Sequence, residues 1–267
     1  MRIVEFALAS LAVAAVSLAV LTLTYGDLAP LGQTMPAWVP GRGIWIYGAA
    51  LLLLVAGAGL CLARTELLSL LTIGGYHAFW ALTGIPPIVA KPLSVGSWYG
   101  FCEALTGLVG AWILYILLRW QRRGSELPVG SARTVRVVQV LFGLICAFYG
   151  WSHFVYADYT ASMVPTWLPD QLAFAYFTGL CHLAAGLGIV TGILPRLAAI
   201  LETVMMSLFG LLVWVPSFWE SPRPQWATPP ASQWSELVVN IVLVASALAV
   251  IASLEGDRKA RIHVSDG

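Results

Sequence analysis

His153 is the residue in this chain best suited to proton chemistry. A neutral imidazole both donates and accepts a hydrogen bond, and it titrates near working pH. His153 lies in the run Gly150-Trp151-Ser152-His153-Phe154-Val155-Tyr156, at the end of an apolar segment and ahead of the loop that carries Trp167. That position suits proton exchange with a bound ligand or a hydrogen bond to a polar headgroup; an interfacial His bonded to a neighbouring carbonyl is the alternative. Glu103 and Glu236 open two further apolar segments from the same side. A helix dipole favours an acidic residue in a first turn. A carboxylate just inside hydrocarbon is costly, however, and usually faces a bundle interior or a cavity. If these segments converge, His153, Glu103 and Glu236 line one site and are its candidate catalytic residues. Trp98 stands five residues before Glu103 and Trp234 two before Glu236, so the carboxylates are not strictly equivalent, and Asn240 is an alternative counterpart of Glu103.

Two Pro-x-Trp-x-Pro boxes supply candidate ligand-covering groups. They are Pro36-Ala37-Trp38-Val39-Pro40 and Pro165-Thr166-Trp167-Leu168-Pro169. Proline on both sides removes backbone donors and fixes φ, so each box is a short stiff loop that holds its ring in place. The rings can serve as an aromatic belt near the headgroups or as lids over a pocket. On the second reading Trp38, Trp167 and the nearby Tyr176 bind a cofactor. Asp158 and Asp170 flank the second box and read as solvated loop carboxylates.

Deeper in the apolar segments lie His77, His182 and Glu202. Polar side chains at such depth need partners; they can form a proton relay or simple hydrogen bonds between helices. No paired spacing such as His-x-x-x-His occurs, so no metal site is expected. Cys61, Cys102, Cys146 and Cys181 form no Cys-x-x-Cys pair and read as small packed hydrophobes. Gly57-Ala58-Gly59 and Gly186-Leu187-Gly188 lie inside apolar segments and read as close helix contacts, not as nucleotide loops.

The elements that must position these groups are membrane helices. The chain is 59% hydrophobic and 10% charged, with a mean hydropathy of +0.83. An average soluble domain carries about 25% charged residues. Eight segments are long enough to cross a bilayer: 3–24, 44–63, 67–85, 98–118, 136–156, 171–193, 196–216 and 234–254. The two Trp boxes are 129 residues apart, and Tyr47, Leu51, Leu54, Ala56, Gly57 and Gly59 recur at the same spacing as Tyr176, Leu180, Leu183, Ala185, Gly186 and Gly188. The chain therefore reads as a tandem duplication. It predicts an all-α polytopic protein of two four-helix bundles, 1–118 and 136–254, joined by a basic linker 119–135 and followed by a tail 255–267. The repeat argues that the first segment is a retained helix and not a cleaved signal. Eleven of the fourteen Lys and Arg residues fall on one side. The positive-inside rule then makes both termini and the linker cytoplasmic and turns the Trp boxes outward. An even number of crossings gives the two halves one orientation, related by an axis near the membrane normal. The net charge of +1 gives no basis for nucleic-acid binding. The cluster Arg119-Trp120-Gln121-Arg122-Arg123 suits anionic headgroups or a docking protein.

The run from Gly150 to Tyr156, the Met163-Val164-Pro165-Thr166-Trp167-Leu168-Pro169 loop, and the following Ala175-Tyr176-Phe177-Thr178-Gly179 and Ala184-Ala185-Gly186 resemble the DoxX-like family of bacterial membrane proteins. The second half carries the full pattern. The first half resembles it more weakly, with Thr24 where His153 stands in the second. The resemblance implies a four-helix bundle unit in a bacterial inner membrane and a redox-associated, quinone-interacting subunit. A carrier for a small molecule or lipid and a non-catalytic scaffold for a partner enzyme are the alternatives. The resemblance leaves open whether the protein is itself an enzyme.

Overall fold

The computed structural model describes residues 2–28, 38–124, 128–220 and 230–265. Pro36 and Ala37 of the first Trp box, residues 125–127 of the linker and Arg223 lie outside the described residues, as do the side chains of the tail arginines and Lys259. Among the described residues there are helices and no strands. The helices are α1 (Arg2–Tyr25), α2 (Arg42–Gly59), α3 (Glu66–Thr83), α4 (Ile85–Ala90), α5 (Tyr99–Arg123), α6 (Val129–Val155), α7 (Ala157–Met163), α8 (Gln171–Thr191), α9 (Pro195–Phe209), α10 (Val215–Ser217) and α11 (Pro230–Ser265). Eight stretches are long and apolar enough to cross a membrane, α3 with α4 forming one and α9 with α10 another. The protein is an all-α polytopic membrane protein.

The linker expected at 119–135 is largely helical. α5 runs to Arg123 and α6 begins at Val129. Three of its four arginines are engaged within the chain. Arg122 donates to the Ala63 carbonyl and to Glu66. Arg123 stands 5.1 Å over the Trp120 ring, and Arg119 donates to the Tyr115 hydroxyl at 2.9 Å.

The two halves share several close helix contacts. Gly57 lies so close to α1 that a Cβ there would sit 2.8 Å from Val16 Cγ2 and 3.1 Å from the Ala12 carbonyl. At the matching place in the second half, a Cβ on Gly186 would sit 2.5 Å from the Gly143 carbonyl of α6. Gly59 abuts Ser69, and Gly188 abuts Ala198, at the same spacing of 129 in both partners. Small residues at these crossings let backbones approach, which drives association where lipid removes the hydrophobic gradient.

Within each half the order of neighbours is the same: α1–α2–α3–α5, then α6–α8–α9–α11. The halves are joined by exchange. α1 packs along α11, and α6 packs along α5, so the first helix of each half lies on the last helix of the other. α5 and α11 cross at the centre. There Gly110 meets Ser246, and Ser246 donates to the Thr106 carbonyl at 2.8 Å.

Two local devices shape the second half. Gly192 takes φ 78° and ends α8, and Leu194 follows at φ 50°, so α9 turns back sharply on α8. Arg136 of α6 donates to the Ile189 carbonyl at 2.9 Å and the Val190 carbonyl at 2.6 Å, satisfying the last acceptors of α8. Arg136→Leu leaves those carbonyls unpaired beside a partly buried turn. The expected loss is about 1–3 kcal/mol, measured as a lowered unfolding midpoint in detergent. Pro216 lacks an N–H and crowds the carbonyl one turn earlier, and the helix accommodates it with a π-type turn over Gly210–Trp214. Asp170, expected to be merely solvated, instead caps α8: its side chain accepts from Ala173 N at 3.1 Å.

Candidate functional site

α6, α7, α8, α9 and α11, with α5 and the turns before it, line an open cavity of about 1650 Å3 that lies mostly in the second half. His153, Glu103 and Glu236 all line it. The three positions picked out as catalytic candidates therefore share one space. Glu103 and Glu236 lie within electrostatic range of each other and of Tyr99. Tyr159, in the segment between α6 and α8, also lines the cavity, and burial together with the Glu236 carboxyl holds its phenol above the ordinary range.

His153 is set by the α6–α8 crossing. Gly179 leaves room for it, since a Cβ there would stand 2.8 Å from His153 Cβ. His153 Nδ1 lies 3.0 Å from Thr178 Oγ1 and 3.3 Å from the Ala175 carbonyl. Phe209 stacks on its ring at 6.1 Å between centroids and 20° between planes.

The cavity also holds a pair that the residue types alone did not join. His182 Nδ1 lies 2.8 Å from Glu202 Oε1, and both residues are 2% exposed or less. The pair links mid-α8 to mid-α9. The second carboxylate oxygen, Glu202 Oε2, makes no hydrogen bond among the described residues, and the Cys146 thiol lies beside it. The His182 ring stands edge-to-face with His153, centroids 5.2 Å apart. His182, Glu202 and His153 thus form one cluster, with Tyr149 and Phe209 against the His182 ring at 6.3 and 5.8 Å.

His77 takes no part. It is buried in the first half against Gly107, where a Cβ would come within 2.4 Å of its ring, and its Nδ1 has no partner among the described residues. The equivalents of the cluster in the first half are apolar or weakly polar. At the constant spacing, Leu53 stands for His182, Ile73 for Glu202 and Thr24 for His153. Leu53 and Ile73 are fully buried. The same helix crossing is thus built once without polar side chains and once around an imidazole and a carboxylate.

The aromatic residues expected to bind a cofactor do not line the cavity. Trp38 and Trp167 are 80% and 69% exposed. Within the second box, Pro165 and Leu168 reach the cavity, and a turn in which Leu168 N donates to the Pro165 carbonyl at 3.0 Å leaves Trp167 outside. Tyr176 lies on the other face of α8 and packs on Phe154 at 5.7 Å. These rings suit an interfacial belt.

From this cluster the cavity continues along α8 and α9 past Leu187, Leu201 and Leu197 to Leu194 at the far turn. A polar end and a long apolar groove are thus continuous. Among the described residues no group of His, Cys, Asp or Glu could hold a metal ion.

Residues 142–251, which contain the whole His153–His182–Glu202 cluster and Glu236, match a sequence family described as a domain of unknown function (DUF8561). Comparison with curated proteins and with solved structures finds no match.

Proposed function

We propose that this protein is a redox-associated membrane subunit that binds a quinone-type lipid in the second-half cavity, with the site opening to the outer leaflet of a bacterial inner membrane. One observation carries the reading: two imidazoles, a buried carboxylate and a stacked Phe209 ring converge at the polar end of a cavity whose remainder is an apolar groove. A flat ring with oxygen substituents and a hydrocarbon tail matches both parts. The resemblance of the second half to DoxX-like proteins supports the same class, and the arginine asymmetry supports the orientation.

A quinone interconverts with its quinol by two electrons and two protons, the electrons passing to or from a redox centre in a partner protein. This chain's own residues would serve the protons and the binding. His153 and His182 hydrogen-bond the ring oxygens. Glu202 fixes the His182 ring and offsets its positive charge when it is protonated. Glu103 and Glu236, on the Trp-box side of the cavity, exchange protons with water. Leu168, Pro165 and the α8–α9 groove exclude water around the ring and tail.

Purification in mild detergent followed by solvent extraction tests this. Quinone near one equivalent per chain is expected, with the bound amount falling at least fivefold in His153→Ala while the protein remains monodisperse. Extracts free of quinone, from protein prepared out of quinone-containing membranes, would sink the reading.

A further inference from the structure

The hydrogen-bond pattern around His153 says which redox form of the ligand the cavity is shaped for. His153 Nδ1 faces two acceptors, the Ala175 carbonyl and Thr178 Oγ1. The carbonyl can only accept. The Thr178 hydroxyl has carbonyls of its own to donate to, Phe174 at 2.9 Å and Ala175 at 3.1 Å. The Ala175 carbonyl can bond His153 only if the proton sits on Nδ1 and His153 donates, and the Thr178 hydroxyl, with its own proton directed to these carbonyls, is then free to accept. In the neutral ring, Nε2 is then a bare acceptor. Among the described residues no donor reaches it, and His153 lines the cavity.

The Nδ1 partners of His153 are uncharged, whereas His182 Nδ1 has a Glu202 carboxyl oxygen at 2.8 Å. Among the described residues no other carboxylate approaches either imidazole within ion-pair distance, although Glu103 and Glu236 line the same cavity.

We infer that the cavity selects a hydrogen-bond-donating headgroup, so that it binds the hydroxyl-bearing, reduced form of its aromatic ligand in preference to the oxidised, carbonyl form. The inference rests on the reading of the cavity as a quinone-type site. A ring hydroxyl donates to His153 Nε2. A carbonyl or an ether has no proton to donate and leaves His153 Nε2 desolvated without a partner. A site built to bond a hydroxyl rejects analogues that lack it for this reason.

The test uses the full chain in lipid nanodiscs under anaerobic conditions, with empty discs subtracted. Three probes share one tail: decylhydroquinone, decylbenzoquinone and the dimethyl ether of the hydroquinone. Retained ligand is quantified by chromatography. The expected result is at least tenfold tighter retention of the hydroquinone than of the other two, collapsing to near parity in His153→Phe, which keeps an aromatic ring but has no acceptor. His153→Gln, which restores an acceptor, should recover part of the preference and controls for misfolding. Equal retention of all three probes by the native protein overturns the donor preference and leaves the ligand site standing. Retention of none above empty discs overturns the ligand site and the preference with it. The ether carries no redox activity, so the preference for hydroquinone over ether holds or fails regardless of any electron-transfer partner.

Discussion

Replacing His182 by Leu and Glu202 by Ile together should give a protein that folds at least as well as the native one and binds no ligand. The substitution copies into the second half what the first half already has, Leu53 and Ile73 at the same crossing, both fully buried. Exchange of a buried pair of this kind for well-packed hydrophobes is commonly neutral or stabilising, by about 1–4 kcal/mol. The single change His182→Leu is the opposite case. It leaves the buried Glu202 carboxyl without its imidazole partner and with only the weak Cys146 thiol beside it, and the expected cost is about 3–5 kcal/mol. Thermal unfolding of the native protein, His182→Leu and the double variant in one detergent gives the comparison. A double variant as unstable as the single one would mean that the pair serves the fold and not a ligand.

The second large effect is expected at the glycines of the α6–α8 crossing. A Cβ at Gly150 would stand 2.7 Å from both the Gly179 carbonyl and Leu183 N, and a Cβ at Gly186 would stand 2.7 Å from Ala147 N. These are backbone atoms and cannot turn aside as a flexible side chain can. Gly150→Ala and Gly186→Ala should each force the helices apart and lower stability by about 1–3 kcal/mol. Moving α6 from α8 also separates His153 from Ala175 and Thr178, so retained quinone should fall with stability in Gly150→Ala. Gly75→Ala on α3, where an added Cβ meets nothing within 4 Å, is the matched control. It should leave the unfolding midpoint unchanged or raise it, because alanine favours a helix over glycine by roughly 0.5–1 kcal/mol. Equal losses at all three positions would exclude close backbone approach as the cause.

The eight crossings were legible because each is a long apolar run bounded by charges or prolines, and bilayer thickness sets their length. That His153, Glu103 and Glu236 line one cavity has a related basis: each lies near the same end of the stack of helices, at the end of α6 or the start of α5 and α11. The His182–Glu202 pair carried a signal that went unused. His182 and Glu202 are each ten residues from Gly192. A sharp turn at Gly192 makes α8 and α9 an antiparallel hairpin, and residues equidistant from its turn come face to face. Segment boundaries alone say nothing of this, because the pairing depends on the left-handed backbone at Gly192 and Leu194. The placing of Trp38, Trp167 and Tyr176 outside the cavity lining is not legible in the sequence for the converse reason. The stiffness of a Pro-flanked loop is readable, but the direction in which it holds its ring depends on the turn it makes. That turn brings Leu168 to the cavity, and Trp167 is left exposed.

The exchange of first and last helices between halves also bears on biosynthesis. α1 leaves the ribosome before the other described helices, and its neighbour α11 leaves after them. During the whole of translation between them, the face of α1 that meets α11 is covered by lipid or by insertion machinery. α5 and α9 wait for the same late arrival, since both pack on α11. Assembly of the described helices should therefore include one concerted step, in which α11 closes both halves at once. A nascent chain stalled before Pro230 would present three unfinished helix surfaces to the quality-control proteases of its membrane.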